Sequence, residues 1–283
     1  MSGGDLPGTL LCGRYRLSLQ RPLVMGVVNV TPDSFSDGNA HFQADQAIAH
    51  AWRLCEEGAD LLDIGGESTR PGSLGVPAAE ELRRILPVLE ALQGCGLPLS
   101  VDTCKPEVMQ VVLQAGADMI NDISGFMAEG AVEAVVASSC AVCIMHMQGQ
   151  PRSMQDAPDY QDVVREVHDF LASGARRLQG AGVAADRIVL DPGFGFGKTV
   201  AHNYTLLHGL RQVIDPSYPV LVGLSRKSMI GAVTGRPVTE RLGGSIAAAL
   251  LAVERGAGIV RVHDVADTVD ALKVRAATLG AIP

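Results

Sequence analysis

The feature that most constrains this chain is a unit repeated eight times along its 283 residues: a short, almost continuous apolar run, a polar residue at its end, then a longer segment of helical period. The apolar runs are residues 22–29, 59–64, 98–102, 118–121, 141–145, 187–191, 219–224 and 258–262. Runs this uniformly apolar suit strands buried on both faces, the condition of a parallel sheet covered by helices. Helical segments at 44–57, 78–93, 106–114, 129–138, 160–180, 202–213, 239–255 and 265–279 alternate with them. Gly58, Gly116 and Gly256, each followed by Ala, stand where a helix ends before the next strand and a positive φ is wanted. Eight such units without a break in composition predict an α/β fold, a single (β/α)8 TIM barrel over residues 1–283, rather than two doubly wound halves. Residues 10–20, with Gly13 at a turn, read as a β-hairpin that plugs the barrel's N-terminal mouth. Three connections after strands, residues 31–43, 68–77 and 147–159, are long for such units and are candidate lids.

Hydrophobic residues make up 47% of the chain and charged residues 19%, which supplies a core and excludes a disordered chain. The formal charge of −8 is spread without like-charge blocks, so neither a nucleic-acid backbone nor an anionic membrane is an expected partner. No apolar run reaches the roughly 20 residues that cross a bilayer, and residues 1–21 lack the pattern of a secretory signal, so a cytoplasmic protein is expected. The six cysteines are scattered. Cys140 and Cys143 form a C-x-x-C, but no second pair of ligand spacing follows, and they read as buried, reduced thiols.

In a barrel all C-terminal strand ends meet at one mouth, where the active sites of such folds lie. Here those ends carry Asn29, then Asp63 with Glu67, Thr69 and Arg70, then Asp102, Asn121, His146, Asp191, then Ser225, Arg226 and Lys227, then Arg261 and His263. Each alone has a structural reading: Asp102 could cap the helix that starts at Pro106, and Asp191 could set a turn before Pro192. Together they sort into two chemistries. Asp102, Asn121 and Asp191 end apolar runs and offer acceptors that suit an amidine-like heterocycle edge. Asn29, Thr69, Arg70, Ser225, Lys227, Arg261 and His263 offer donors and positive charge, which in an acidic protein asks for a phosphate or pyrophosphate. Arg261 and His263 alternate around Val262 and so face one side of a strand. The run from Asp191 to Thr199 (DPGFGFGKT) lacks the spacing of a P-loop and of a dinucleotide fingerprint. It reads as a flexible loop that brings backbone close to a flat ligand, with Phe194 or Phe196 available to pack on a ring.

Eight stretches, MGVVNVTPDSFSDGN from Met25, DIGGESTRPGS from Asp63, SVDTCKP from Ser100, NDI from Asn121, MHMQ from Met145, LDPGFGFGK from Leu190, SRKSMIG from Ser225 and RVHDV from Arg261, closely resemble the bacterial dihydropteroate synthases. The resemblance spans residues 22–279 in order. It implies a TIM barrel that joins 6-hydroxymethyl-7,8-dihydropterin diphosphate to 4-aminobenzoate in folate synthesis, releases pyrophosphate, and is blocked by sulfonamides. It further implies that Asp102, Asn121, Met145, Asp191 and Lys227 hold the pterin, and that Asn29, Thr69, Arg261 and His263 hold the diphosphate. The aminobenzoate would meet Phe35, Arg70, Pro71, Phe196 and Ser225. Mg2+ as cofactor would sit near Asn29, with Asp37 contributing from the first long connection. Asp102, Lys227, Arg261 and His263 would carry the catalysis, through an SN1-like step in which pyrophosphate departs before the weakly nucleophilic arylamine attacks. A homodimer through helices of the last third is implied as well. Departures are few: Cys104 stands where Ser is frequent, and Asn39 and His41 vary the first connection. Competing readings are a pterin-dependent methyltransferase barrel, which would not need the diphosphate set, a non-catalytic pterin-binding paralogue, and a pyridoxal-phosphate enzyme using Lys227.

Overall fold

The computed structural model describes residues 8–30, 40–69, 72–73, 75–150, 152–213 and 215–280. Its first elements are the antiparallel strands β1 (Thr9–Cys12) and β2 (Tyr15–Ser18), turned at Gly13, whose φ is +59°. Eight parallel strands follow: β3 (Leu23–Asn29), β4 (Leu61–Gly65), β5 (Leu99–Asp102), β6 (Met119–Asp122), β7 (Ala141–Met145), β8 (Ile188–Asp191), β9 (Leu221–Val222) and β10 (Ile259–Val262). Their order, β8-β7-β6-β5-β4-β3-β10-β9, is closed by a parallel bridge from Leu190 to Val220, so the sheet is a barrel. Around it lie α1 (Ala40–Glu56), α2 (Ala78–Ala91), α3 (Pro106–Gln114), α4 (Ala131–Val136), α5 (Val163–Gly180), α6 (Val200–His208), α7 (Leu210–Val213), α8 (Ser228–Thr234), α9 (Leu242–Glu254) and α10 (Val265–Thr278).

Because successive strand residues point to opposite faces, each strand feeds two cores. Val24, Val28, Leu62, Ile64, Val142 and Ile144 face the helices and join one large apolar cluster with Ile85, Leu89, Val108 and Leu171. Leu23, Met25, Leu61, Met119, Cys143, Val189, Leu221 and Ile259 face inward and form a second cluster, which Leu10, Cys12 and Leu19 of the hairpin region complete. The hairpin thus plugs the barrel from below, as its sequence suggests. The same period of two carries each inward row to a polar residue at the other end: Met25 is followed by Asn29, Leu61 by Asp63, Met119 by Asn121, Val189 by Asp191, and Ile259 by Arg261 and His263. The lower inward positions exclude water and the upper ones define a mouth.

Gly58, Gly116 and Gly256 have φ of +96°, +95° and +100°, as their place before strands requires. Three elements depart from the sequence reading in ways with a clear physical cause. The expected helix 202–213 breaks at Gly209, where a Cβ would press on the Val164 side chain of α5. The short α8, which begins in SRKSMIG and runs on to Thr234, has no sequence counterpart because seven residues hold too little helical period to register. Helix α5 starts at Val163 rather than 160, because the Asp162 side chain accepts from the Val164 and Arg165 amides, both at 3.1 Å, and fixes the cap there. In α9, Ser245, Ala248, Ala249 and Ala252 are buried, so its small residues face inward, against the barrel.

Candidate active site

The mouth holds a cleft of about 570 Å³ whose floor and walls carry most of the polar strand ends. At its base Asp63, fully buried, organises two neighbours. Its Oδ2 accepts from Arg261 Nε at 2.6 Å and from Asn121 Nδ2 at 3.1 Å, while Arg261 Nη2 donates to Asp102 Oδ2 at 3.1 Å. Asn121 donates downward to Asp63, so its Oδ1 is left buried without a partner among the described residues. A buried acceptor left unpaired costs roughly 1–3 kcal/mol and marks a place where a ligand N–H is awaited. Asp191 sits on the opposite wall, its Oδ1 accepting from the Gly193 amide at 2.8 Å.

Burial raises the Asp191 carboxyl to about 6, opposed by the Gly193 amide and by Lys227, Lys198 and Arg261. Burial likewise raises Asp102; Arg261 opposes this, and the nearby Asp63, Glu81 and Asp122 add to it. Burial and the charge of Arg261 lower Lys227 to about 8. For Arg261 burial works against the charge, but Asp63 and Asp102 outweigh it and the guanidinium is held above its usual value. His263 is pushed down to about 3 by burial, then by Arg261 and Arg226, and its Nδ1 lies 3.0 Å from Ser225 Oγ. The sequence reading counted His263 with the cationic rim. It is neutral at pH 7 and offers a hydrogen bond rather than a charge, because a buried imidazole beside two guanidiniums does not take a second proton.

The turn Ser225-Arg226-Lys227 is shaped by Arg226, whose φ of +59° is unusual for a side-chain-bearing residue. Its guanidinium is forked on Asp264 and its amide donates to Ser245 Oγ at 2.9 Å, which sends Ser225 and Lys227 into the mouth. Lys227 Nζ lies 4.2 Å from the centre of the Phe196 ring. On the other side Asn29, Thr69 and Met145 line the cleft. Glu67 secures the base of the second long connection: it pairs with Lys105, which also pairs with Glu81, and it accepts from the Val76 amide at 3.2 Å. Phe35, Asp37, Arg70 and Pro71 lie outside the described residues.

Three expectations change. Asp102 does not cap α3: Pro106 opens that helix with no side-chain cap, and Asp102 serves Arg261 instead. Asp191 sets a turn and also faces the cleft, so its two readings hold together. The glycine-rich run, expected to be flexible, is tethered on several sides. Its carbonyls at Gly193, Gly195, Phe196 and Gly197 and its amides at Gly193 and Gly195 all have protein partners, and Phe194 is 1% exposed within the outer core, leaving Phe196 as the ring at the cleft. Sequence reasoning assigned no role to Asp63, Glu67, Lys198 or Asn203. Asp63 carried a signal, since it interrupts a strand otherwise wholly apolar.

Among the described residues no group of three His, Cys, Asp or Glu side chains converges to hold a metal, and all six cysteines are free thiols, Cys140 and Cys143 both buried. The donor at the rim is the amide oxygen of Asn29, a hard ligand that suits a cation held mainly by water and phosphate oxygens, as Mg2+ is.

A barrel mouth with a carboxylate-and-amide floor beside a guanidinium is built for a nitrogen heterocycle carrying an anion. The profile of the family described as pterin binding enzyme matches residues 25–263, and the chain belongs to that family. Relatives that the chain matches closely within it include dihydropteroate synthases. The Escherichia coli K12 dihydropteroate synthase is 49% identical over 266 residues, 94% of each chain. The Burkholderia cenocepacia dihydropteroate synthase complexed with 7,8-dihydropteroate has a TM-score of 0.89 at 55% identity, covering 98% of both chains. The Xanthomonas albilineans dihydropteroate synthase with 4-aminobenzoic acid has a TM-score of 0.91 at 53% identity, covering 98% of this chain and 99% of that one.

Proposed function

We propose that this mouth condenses 6-hydroxymethyl-7,8-dihydropterin diphosphate with 4-aminobenzoate, giving 7,8-dihydropteroate and pyrophosphate. The observation that carries the reading is the floor: an unpartnered buried Asn121 Oδ1 between Asp102 and Asp191, with Arg261 rising from it toward the rim. The amino and ring N–H groups of the pterin donate to Asn121 Oδ1 and to the two carboxylates, Lys227 donates to an acceptor on the heterocycle, and Met145 packs on its face. Asn29, Thr69, Arg261 and neutral His263 receive the diphosphate. The acceptor amine lies on the shelf of Phe196 and Ser225, with Phe35, Arg70 and Pro71 as its further contacts.

An arylamine is a poor nucleophile, so the chain's groups act on the leaving side. Arg261 and His263 stabilise negative charge on the bridging oxygen as the bond from the pterin methylene to oxygen breaks. Asp102 and Asp191 stabilise the positive charge that spreads into the pterin, and Asp102, Lys227, Arg261 and His263 are the catalytic groups. The amine lone pair then forms the carbon–nitrogen bond and the nitrogen loses its proton. Mg2+, held at Asn29 with Asp37, would neutralise diphosphate oxygens and improve the leaving group.

The same reading includes a homodimer and a cytoplasmic setting. Val233, Val238, Leu251 and Val274, on or beside α8, α9 and α10, are between 46% and 67% exposed and offer an apolar face to a second copy. Sedimentation at micromolar protein would give one species of twice the chain mass. The six free thiols suit a reducing compartment. The activity is tested by incubating the purified protein with both substrates and Mg2+ and resolving the products by chromatography. A pteroate product that needs both substrates supports the reading; hydrolysed pterin alone sinks it.

A further inference from the structure

Lys198 is 2% exposed, lies behind the cleft rather than in it, and has no part in the mechanism above. Its Nζ is 2.9 Å from the Gly193 carbonyl oxygen, 3.0 Å from that of Phe196 and 3.3 Å from that of His146, and 2.9 Å from His146 Nδ1. Two of these oxygens belong to the glycine-rich run and the third to the residue that follows β7, so one amine, which burial lowers to about 7 against the pull of Asp191, ties two loops of the mouth. His146 is pushed down to about 3 by burial and by Lys198, so its ring is neutral, with Nδ1 in hydrogen-bond contact with the Lys198 amine. The two loops touch through backbone. A Cβ on Gly193 would overlap the His146 carbonyl oxygen, and one on Gly197 the Gln148 carbonyl, at φ of +67° and +58°.

Other tethers complete the clamp. Asn203 Oδ1 accepts from the Gly195 amide at 2.7 Å, Gln155 Nε2 donates to the Gly195 carbonyl at 2.6 Å, and Tyr160 Oη donates to the Gly197 carbonyl at 2.8 Å. With its backbone fixed on these sides, the run sets the ring of Phe196 at the cleft against the Lys227 amine. An apolar side chain at 198 would leave three carbonyls short of a donor. An arginine fork, planar and larger, cannot converge on three oxygens around one atom.

We propose that Lys198 is a positioning residue for the arylamine side of the mouth, fixing Phe196 beneath the acceptor by binding the glycine-rich loop to the end of β7. The inference rests on the reading of Phe196 as part of the aminobenzoate shelf. Asp102 and Asn121 of the pterin floor are held separately, through Asp63 and Arg261 on β4 and β10, and only Asp191 shares the loop, through the Gly193 amide, so the arylamine side responds more strongly than the pterin side.

The test uses the full-length protein and its Lys198→Met and Phe196→Ala variants. It measures KM for 4-aminobenzoate, kcat, the pterin diphosphate dissociation constant by calorimetry, and amide exchange by NMR or mass spectrometry. Lys198→Met is expected to raise the aminobenzoate KM by roughly 10-fold or more, since misplacement of about 1 Å is felt on that scale. The pterin constant, which feels the loop only through Asp191, should change by at least several-fold less than that KM. Exchange should quicken at residues 193–197 while β5 and β6 keep their protection. Weakening of both substrates alike, or uniform loss of protection, would overturn the proposal, since either marks general destabilisation. If Phe196→Ala leaves the aminobenzoate KM unchanged, the shelf reading itself fails; if it raises that KM while Lys198→Met does not, only the positioning role fails. Should Lys198→Met not fold, Gln155→Ala and Tyr160→Phe each remove one donor from the same run. Each should raise the aminobenzoate KM alone, by roughly 3-fold, and an unchanged KM in both would refute the clamp.

Discussion

Asp191→Asn separates what the floor does for substrate from what it costs the fold. The substitution keeps the shape and the oxygen that accepts from the Gly193 amide at 2.8 Å, and removes only the charge. Burial raises this carboxyl from 3.8 to about 6, so holding it ionised at neutral pH costs about 3 kcal/mol, at about 1.4 kcal/mol per pKa unit. The sign follows from proton counts. Between pH 4 and 6 the folded state binds more protons at this site than the unfolded one, so the wild type loses stability as pH rises through that window and the penalty is complete by pH 7. Asp191→Asn removes it. The variant should be more stable than wild type at pH 7 by up to about 3 kcal/mol, or roughly 5 °C in Tm for a chain of this size, and the gain should fall to about half at pH 5 and fade toward zero below pH 4. Pterin diphosphate should bind roughly 10- to 100-fold more weakly, the worth of one charge-assisted hydrogen bond. Denaturant unfolding of both proteins at pH 7 and pH 5, with pterin titrations by calorimetry, reads both effects. A variant no more stable at pH 7 than wild type, or one whose gain is the same at pH 5, would refute the account of Asp191 as a charge held at a cost for its ligand.

Other outcomes follow from the same geometry. Asp102→Asn should lower kcat by roughly 100-fold while weakening pterin binding less than about 10-fold, because its charge acts on the cationic transition state; equal losses in both would reduce Asp102 to a binding group. The pH profile of kcat/KM for the pterin diphosphate should be a bell: activity falls below about 7 as Asp102 and then Asp191 take protons and above about 8 as Lys227 loses one. A profile flat from pH 5.5 to 9 would contradict it. Gly193→Ala, which sets a methyl on the His146 carbonyl at positive φ, should cost roughly 3 kcal/mol or more in chemical unfolding, or leave the protein insoluble. Asn29→Ala should weaken the Mg2+ dependence of pterin diphosphate binding in calorimetry while binding of the diphosphate-free pterin is unchanged.

The barrel was legible because its two periods are strong: apolar runs alternating with helical segments, and within each run a period of two that ends on a polar residue. That second period also made the site legible, since Asn29, Asp102, Asn121, Asp191, Arg261 and His263 are simply the inward residues above the water-free core. Harder to see were groups whose role is another side chain's orientation. Asp63 looks like one more strand-end carboxylate until Asn121 and Arg261 are found on the same oxygen, 58 and 198 residues away. Lys198 looks like part of a nucleotide-loop lookalike, and its three carbonyl partners are backbone atoms, which leave no mark in a sequence. The glycine-rich loop misled for a related reason. Glycine signals permissive backbone, but here positive φ and close approach to residues 146–148 use up that permissiveness, and the loop is tethered on several sides. The charge state of His263 was equally hidden, because it depends on burial and on neighbours brought in by the fold.

The central claim is that one mouth binds a pterin diphosphate on its floor and completes the transfer only when an arylamine occupies the shelf. Pyrophosphate release from the purified protein, followed with pterin diphosphate and Mg2+ in the presence and absence of 4-aminobenzoate, tests it most directly. The account predicts release that requires both substrates and the metal, one pyrophosphate for each pteroate formed. Tight binding of the pterin diphosphate with no release when the arylamine is added would contradict it, and would make the same floor the site of a pterin-binding protein without this chemistry.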